Sequence, residues 1–212
     1  MAFLKLYMFY ISPAFIFVPV IVGFLRYKAL TITFKVLLGF LLCSCVSNVA
    51  NIILSFHHIP TTTLFHLFTV FEFAFTSWMY ATIFDKRWRK TIAVMVSVFT
   101  VLCILNYFFL QNGIETDTYT GTLEAIIIIG YSLLFLYQQS NIENHNHWGQ
   151  NAFNWINIAI LIYFGCGFFM FISLNYIMHA GLRVNLIVWS VFDTILVFES
   201  LLFAIGFYKC ST

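Results

Sequence analysis

The hydrophobic positions of this chain form long continuous runs, separated by short polar stretches. One helical crossing of a bilayer requires roughly 20 apolar residues, because each residue of an α-helix rises by about 1.5 Å. The pattern therefore predicts membrane-spanning helices joined by short loops. Seven such helices can be marked, at 6–25, 31–56, 63–84, 91–111, 119–139, 153–178 and 186–208.

The composition leads to the same fold class. The chain of 212 residues is 62% hydrophobic and only 8% charged, whereas about a quarter of the residues in soluble domains are charged. We therefore predict an all-α, polytopic transmembrane bundle of seven helices that forms a single domain over residues 1–212. The basic residues are too few, and too close to helix ends, to form a nucleic-acid-binding face, so we expect membrane lipid and no nucleic acid as a partner.

The Lys and Arg residues predict the orientation, since these residues favour the cytoplasmic side of membrane proteins. Most of them share one face of the predicted bundle, whereas the opposite face has Lys5, Arg183 and an acidic loop with Glu115 and Asp117. The N-terminus is therefore predicted outside and the C-terminus in the cytoplasm. The third loop is the most basic and is expected to contact anionic lipid or, alternatively, to dock a membrane or cytoplasmic protein. Its basic residues are Lys86, Arg87, Arg89 and Lys90.

Acidic residues inside the apolar runs indicate where the chain acts. An ionisable side chain within a bilayer costs several kcal/mol and marks a functional site by default. No Lys or Arg is expected at the same depth, so these acids should be protonated, hydrated, hydrogen-bonded to His66 or bound to a cation. The four acids are Glu72, Glu124, Asp193 and Glu199.

Depth and helical phase predict a single polar cavity in the outer half of the bundle. Glu72, Glu124, His66 and Asp193 are expected to surround it. Glu199 is a further candidate for ligand binding; it lies about 120° from Asp193 around the helix, so a neighbouring helix or another subunit is the alternative direction for its side chain. A plainer interpretation of the Asn, Ser and Thr residues is hydrogen bonding between helices. The residues expected to flank the cavity are Asn48, Asn51 and Asn175.

Histidines near the outer side offer nitrogen ligands for a transition metal beside these carboxylates. The sequence has no HxxxH, HExxH or ExxH spacing, so we assign no metal site and leave the cofactor unknown. The histidines concerned are His57, His58, His66 and His179.

Four segments resemble small uncharacterised seven-helix integral membrane proteins of Bacteroidota. They are Leu64-Phe-His-Leu-Phe-Thr-Val-Phe-Glu-Phe73, Thr122-Leu-Glu-Ala125, Asn154-Trp-Ile-Asn157 and Leu202-Phe-Ala-Ile-Gly-Phe207. The chain is also similar to membrane-sensor modules of bacterial signalling proteins that lack their output domain. The resemblance implies a seven-helix fold and a bacterial inner (cytoplasmic) membrane location, and it supplies no catalytic residues.

The leading functional prediction is a receptor or sensor-like binding module. It would hold a small ligand in the outer cavity and pass the change to a partner through the basic third loop. An intramembrane enzyme that modifies lipid or uses a metal is the first alternative, so whether the chain is an enzyme stays open. A small proton- or cation-coupled transporter, or a subunit of a membrane complex, is the second.

Overall fold

A computed structural model describes residues 4, 6–111, 117–140 and 148–210, without the side chains of Phe9, Asn175 and Met178. In this part of the chain the architecture is all α, with seven main helices and no strand. Five short turns adjoin the main helices. They are π-helical at Tyr7–Ile11 and Asn106–Leu110, α-helical at Ser12–Ala14, and 3₁₀ at Tyr27–Ala29 and Trp148–Gln150. The main helices are α1 Phe17–Leu25, α2 Ile32–Phe56, α3 Thr62–Ile83, α4 Lys86–Leu105, α5 Tyr119–Ser140, α6 Ala152–His179 and α7 Leu182–Lys209.

The predicted number of helices is confirmed, and most boundaries agree within a few residues. The first helix differs, since the segment before Phe17 is broken into short turns. Proline has no N–H to donate, and Pro13 interrupts the regular hydrogen bonding here. The chain instead makes tighter bonds from the Phe15 N–H to the Ser12 carbonyl (3.0 Å) and from the Val18 N–H to the Phe15 carbonyl (3.1 Å).

Five helices in the described part of the chain are long and apolar enough to cross a membrane. Helix α3 has 22 residues, but polar side chains such as His66 and Glu72 interrupt its apolar sequence. The N-terminal apolar helix, Ser12–Leu25, is shorter. The five long apolar helices are α2, α4 with its π-helical extension to Leu110, α5, α6 and α7.

The helices pack as a ring with one helix outside it. Around the ring, α1 contacts α2, α2 contacts α3, α3 contacts α5, α5 contacts α6, α6 contacts α7, and α7 returns to α1. Helix α4 lies outside, against α3, where the rings of Phe73 and Phe99 stack with centroids 4.0 Å apart. Helix α4 also reaches α5, because the Tyr131 hydroxyl donates to Met95 Sδ at 3.4 Å. The bundle therefore has an interior enclosed mainly by α2, α3, α5, α6 and α7.

Consecutive helices run in opposite directions, so the loops alternate between two ends of the bundle. We call the end with the α1–α2 and α3–α4 loops and the end of α7 the basic end, and the opposite one the far end. At the basic end, the last residue of α7 contacts the start of α6 and the turn before it. Lys209 Nζ donates to the Gly149 carbonyl at 2.8 Å and lies 5.5 Å from the Trp155 ring centroid. The Arg26 guanidinium lies 4.9 Å from the Tyr208 ring centroid.

Large apolar side chains cover much of the outer surface. Leu25, Phe56, Phe109 and Tyr176 are each at least 75% exposed. Soluble monomers rarely present apolar surface on this scale. The exposed side chains are therefore suited to a lipid environment, whereas the polar groups described next lie inside.

Candidate functional site

The interior polar groups begin at the far end, where α4 stops and α5 starts. Helix α4 ends in the π-helical turn Asn106–Leu110, and the Gln111 N–H donates to the Asn106 carbonyl at 2.9 Å. This wider turn ends α4 with Asn106 and Gln111 facing inward, both at most 1% exposed. Insertions of this kind are frequent at functional sites. We call the buried group there the far-end cluster, which comprises His66, Asn106, Gln111, Asp117, Thr118 and Thr120.

Hydrogen bonds hold the far-end cluster together. Asn106 Nδ2 donates to Gln111 Oε1 at 2.7 Å and to Asp117 Oδ1 at 3.3 Å. Gln111 Nε2 donates to Thr118 Oγ1 at 2.7 Å. The Thr120 hydroxyl donates to Asp117 Oδ1 as well. Two segments of the chain, one ending α4 and one beginning α5, are thereby joined through side chains.

Helix α3 contributes His66 to the same cluster. His66 Nδ1 lies 3.4 Å from Asp117 Oδ2, which is within ion-pair range but long for a hydrogen bond. The Tyr107 ring meets the His66 ring edge-on, with centroids 5.4 Å apart, and the Tyr107 hydroxyl pairs with Thr63 Oγ1 at 3.2 Å. His66 is thus buried beneath an aromatic side chain.

Glu124 lies one helical turn beyond Thr120, on the same face of α5. Its side chain is 2% exposed, and its Oε1 atom has no hydrogen-bond partner. The carboxyl groups of Asp117 and Glu72 lie within electrostatic range of it. Glu124 therefore connects the far-end cluster to the centre of the bundle.

At the centre, Glu72 from α3 faces α6 and α7. Its carboxyl group is within hydrogen-bonding range of the Tyr163 hydroxyl. Glu72 and the half-buried Glu199 line one cavity, together with apolar side chains such as Phe164 and Phe203. This cavity has a volume of about 10 Å³, which is room for about one water molecule.

The acids follow one another through the interior of the bundle, each within electrostatic range of the next. Asp117 is the electrostatic neighbour of Glu124, Glu124 of Glu72, and Glu72 of Glu199. We call these four residues the acid line. Among the described residues, none of them is paired with a Lys or Arg; the one basic partner is His66. Ionised carboxylates this close repel one another strongly in apolar surroundings, so the acid line favours positive charge.

A third polar group lies between the acid line and the basic end. The Tyr80 hydroxyl donates to Asn157 Oδ1 at 2.7 Å. Asn157 Nδ2 donates to the Ser132 carbonyl and the Ser132 hydroxyl to the Asn157 carbonyl, each at 3.4 Å. All three residues are fully buried. This group joins α3, α5 and α6 and matches the prediction of hydrogen bonding between membrane helices.

The structure separates several residues that the sequence grouped. It places Glu72, Glu124 and His66 in the interior, and Glu199, the fourth acid predicted to mark the site, lines the central cavity. Asp193 is half-buried beside the N-terminal segment, and its carbonyl accepts a hydrogen bond from the Ser12 hydroxyl at 3.2 Å. The part of α7 that faces the centre is therefore the stripe with Glu199 and Phe203.

The expectation for α2 needs correction. Asn48 is exposed and Asn51 is half-buried, so neither flanks the acid line. Asn48 instead lines an apolar groove between α2 and the N-terminal segment, together with Tyr10 and Phe17. The volume of this groove is about 200 Å³. The side chain of Asn175 lies outside the described part of the structure, as do Lys5 and Glu115.

The histidines do not converge. His57, His58 and His179 are exposed, whereas His66 is buried. Among the described residues, no three His, Cys, Asp or Glu side chains are placed to hold a metal ion together. A site built from neutral oxygen ligands would not need such a group.

Sequence reasoning missed several residues of the interior, including Gln111, Asp117 and Tyr163. Asp117 was assigned to an acidic loop, although an Asp just before an apolar helix is a common helix-start signal and could have indicated a position packed against that helix. Tyr163 lies in a continuous apolar run of α6, where nothing in the sequence distinguishes it from its neighbours. No protein-family model, curated protein or solved structure matches the chain in the comparisons with known proteins.

Proposed function

We propose that the chain is a sensor-like integral membrane protein that binds a small cation inside a bundle of seven crossing helices. The N-terminus would lie outside and the C-terminus in the cytoplasm, so that the far end faces outward. Five helices have the length and apolarity to cross. In α3 the polar residues that lower the hydropathy, His66 and Glu72, point inward, which leaves its outer face apolar. The resemblance to proteins of Bacteroidota supports a location in a bacterial inner membrane.

One observation carries the proposal: four acids follow one another inside the bundle without a Lys or Arg partner among the described residues. A buried carboxylate without a counter-charge is costly, and a bound cation or proton removes that cost. The central cavity admits about one water molecule, with about 10 Å³ of open space. A ligand of this kind must therefore be positively charged and very small.

The response would reach the cytoplasmic side through α3. This helix carries His66 and Glu72 and leads through a two-residue loop into the basic first turns of α4, where Arg89 Nε donates to the Ala81 carbonyl at 3.3 Å. A shift of α3 on cation binding would move that loop and the partner docked on it. The side chains available for docking are exposed at Lys86, Arg87, Arg89 and Lys90.

A transporter is the second candidate. The buried group of Tyr80, Asn157 and Ser132 continues the polar interior from Glu72 toward the basic end. Isolated acids within membranes commonly serve as relays for ions or protons. The enzyme alternative gains less support, since the central cavity in this conformation has no room for a lipid group.

Purified protein in lipid nanodiscs tests the proposal. We would measure the unfolding temperature across series of pH, NaCl, KCl and CaCl₂, with choline chloride holding the ionic strength constant. A ligand that binds only the folded state at 100 times its Kd stabilises it by about 2.7 kcal/mol. We expect at least one cation or the proton to raise the unfolding temperature, and Glu72→Gln to reduce that effect while the exposed-acid control Asp85→Asn preserves it. No response to any of them in the wild type would overturn the proposal.

Reconstitution into liposomes separates the two candidates. A sensor binds the cation without moving it, so vesicles with an internal pH or cation dye should show no flux above the background of protein-free vesicles. Flux that Glu72→Gln abolishes would replace the sensor with the transporter.

A further inference from the structure

Some buried oxygens of the far-end cluster and of the neighbouring Glu124 are not reached by its donors. Both the amide group of Asn106 and that of Gln111 donate within it, and the Thr120 hydroxyl donates to Asp117. Three buried oxygens have no hydrogen-bond donor in the described part of the structure, although His66 Nδ1 lies within ion-pair range of one of them, Asp117 Oδ2, at 3.4 Å. The three oxygens are Asn106 Oδ1, Asp117 Oδ2 and Glu124 Oε1.

Capping of α5 explains only part of this arrangement. An Asp side chain before a helix commonly accepts hydrogen bonds from the first turn, and Asp117 Oδ1 does so from Thr120. Capping does not account for Asp117 Oδ2, nor for the amide oxygen of Asn106. Asn106 is only 1% exposed and Asp117 only 7% exposed, so bulk water does not donate hydrogen bonds to these oxygens. A buried acceptor left unpaired costs about 1–3 kcal/mol.

The three oxygens belong to neighbouring side chains. Asn106 and Asp117 are in direct contact, with Nδ2 and Oδ1 3.3 Å apart. Glu124 lies within electrostatic range of Asp117, and the Cys103 thiol lies near both carboxyl groups. A cation placed among them would meet an amide oxygen and two carboxyl oxygens from the end of α4 and the start of α5.

We propose that Asn106, Asp117 and Glu124 supply three of the ligands of a binding site for an alkali metal ion, with Na⁺ as the ion to test. This inference rests on the proposed cation-binding function and names the ion and its ligands. The donor atoms are all oxygens, which suit hard cations. Ends of broken helices inside membrane proteins hold Na⁺ in a similar way.

The site has too few protein ligands for calcium or magnesium. Calcium takes about 6–8 oxygen ligands, and magnesium keeps several waters in a strict octahedron. The site has three unpaired oxygens among the described residues, with the lone pairs of the Thr120 hydroxyl beside them. A single positive charge between two carboxyl groups also leaves one of them free to hold a proton.

Equilibrium dialysis with ²²Na⁺ tests the site in the full-length protein. We expect saturable binding of about one ion per chain that excess LiCl or NaCl displaces and choline chloride does not. Asp117→Asn and Glu124→Gln keep the size of the side chains and remove their charge, so each should weaken Na⁺ binding at least tenfold. The control Asp85→Asn, an exposed acid at the basic end, should bind as the wild type does.

Hydrogen–deuterium exchange locates the ion even if a variant fails to fold. In the wild type, Na⁺ should slow exchange in peptides that cover the end of α4 and the start of α5, and leave those at the start of α6 unchanged. Absence of saturable Na⁺ binding, binding unaffected by both variants, or protection confined to other helices would each overturn the site. If another cation or the proton still stabilises the wild type, the proposed function survives without this site; if nothing does, both fall.

Discussion

At the scale of single residues, Asn157 illustrates how polar groups are used inside this protein. Its side chain bonds to Tyr80 and to the carbonyl of Ser132, so it joins three helices. In surroundings without water, each such donor and acceptor must be satisfied by the protein itself. Asn154 and Asn157 lie three residues apart on α6, and each has a hydrogen-bond partner on another segment.

Asn157→Leu should destabilise the protein by about 1–3 kcal/mol, because it leaves the buried Tyr80 hydroxyl without an acceptor. Tyr80→Phe added to this variant removes the unpaired hydroxyl and should recover part of the loss. Unfolding by denaturant in mixed micelles measures both single variants and the double variant. Effects that add within about 0.5 kcal/mol would show that the two side chains are not coupled.

At the scale of helices, Gly206 sets the close approach of α7 to α6. A Cβ atom at this position would lie against the Ile156 side chain, 2.9 Å from Cγ1 and closer still to Cδ1, and 3.3 Å from the Ala152 carbonyl oxygen. Ile156 is fully buried and has little room to move. Small residues allow membrane helices to pack closely, and here a single glycine does so.

Gly206→Ala should therefore destabilise the bundle by about 1–3 kcal/mol through overpacking. Gly130→Ala is the matched control, since no atom lies within 4 Å of a Cβ placed there. Alanine is the better helix former by about 1 kcal/mol, so the control should be neutral or more stable. Thermal unfolding of both variants in the same detergent tests this prediction. Equal stability of the two variants would contradict the packing argument.

At the scale of the whole molecule, charge is distributed unevenly between the two ends. The basic end has the Lys and Arg residues of three of its segments, including Arg26, Lys86 and Lys209, whereas the far end has Arg183 and the buried Asp117. Basic loops are retained on the cytoplasmic side during insertion. The orientation argued from the sequence therefore agrees with the ends that the structure defines, and it stays a prediction.

A reporter joined to the C-terminus tests the orientation. We expect fluorescence from a cytoplasmic fluorescent protein and no activity from alkaline phosphatase, which requires the periplasm. Neutral replacements of the third-loop basic residues should reduce the fluorescent fraction, whereas Arg183→Gln should not. High phosphatase activity in the unaltered chain would reverse the assignment. The replaced residues are Lys86, Arg87, Arg89 and Lys90.

The sequence by itself determined the helices and most of their limits. Backbone groups in an apolar surrounding must be paired within the segment, so a long apolar run has to be helical. It also indicated Glu72, Glu124 and His66, because polar residues in such runs are conspicuous. Tertiary structure alone decided that Glu199 faces the centre, that Asn48 faces outward and that Tyr163 meets Glu72. A helix that is apolar on all sides has no polar face to define its rotation about its axis. Its packing against the neighbouring helices therefore determines which side faces inward.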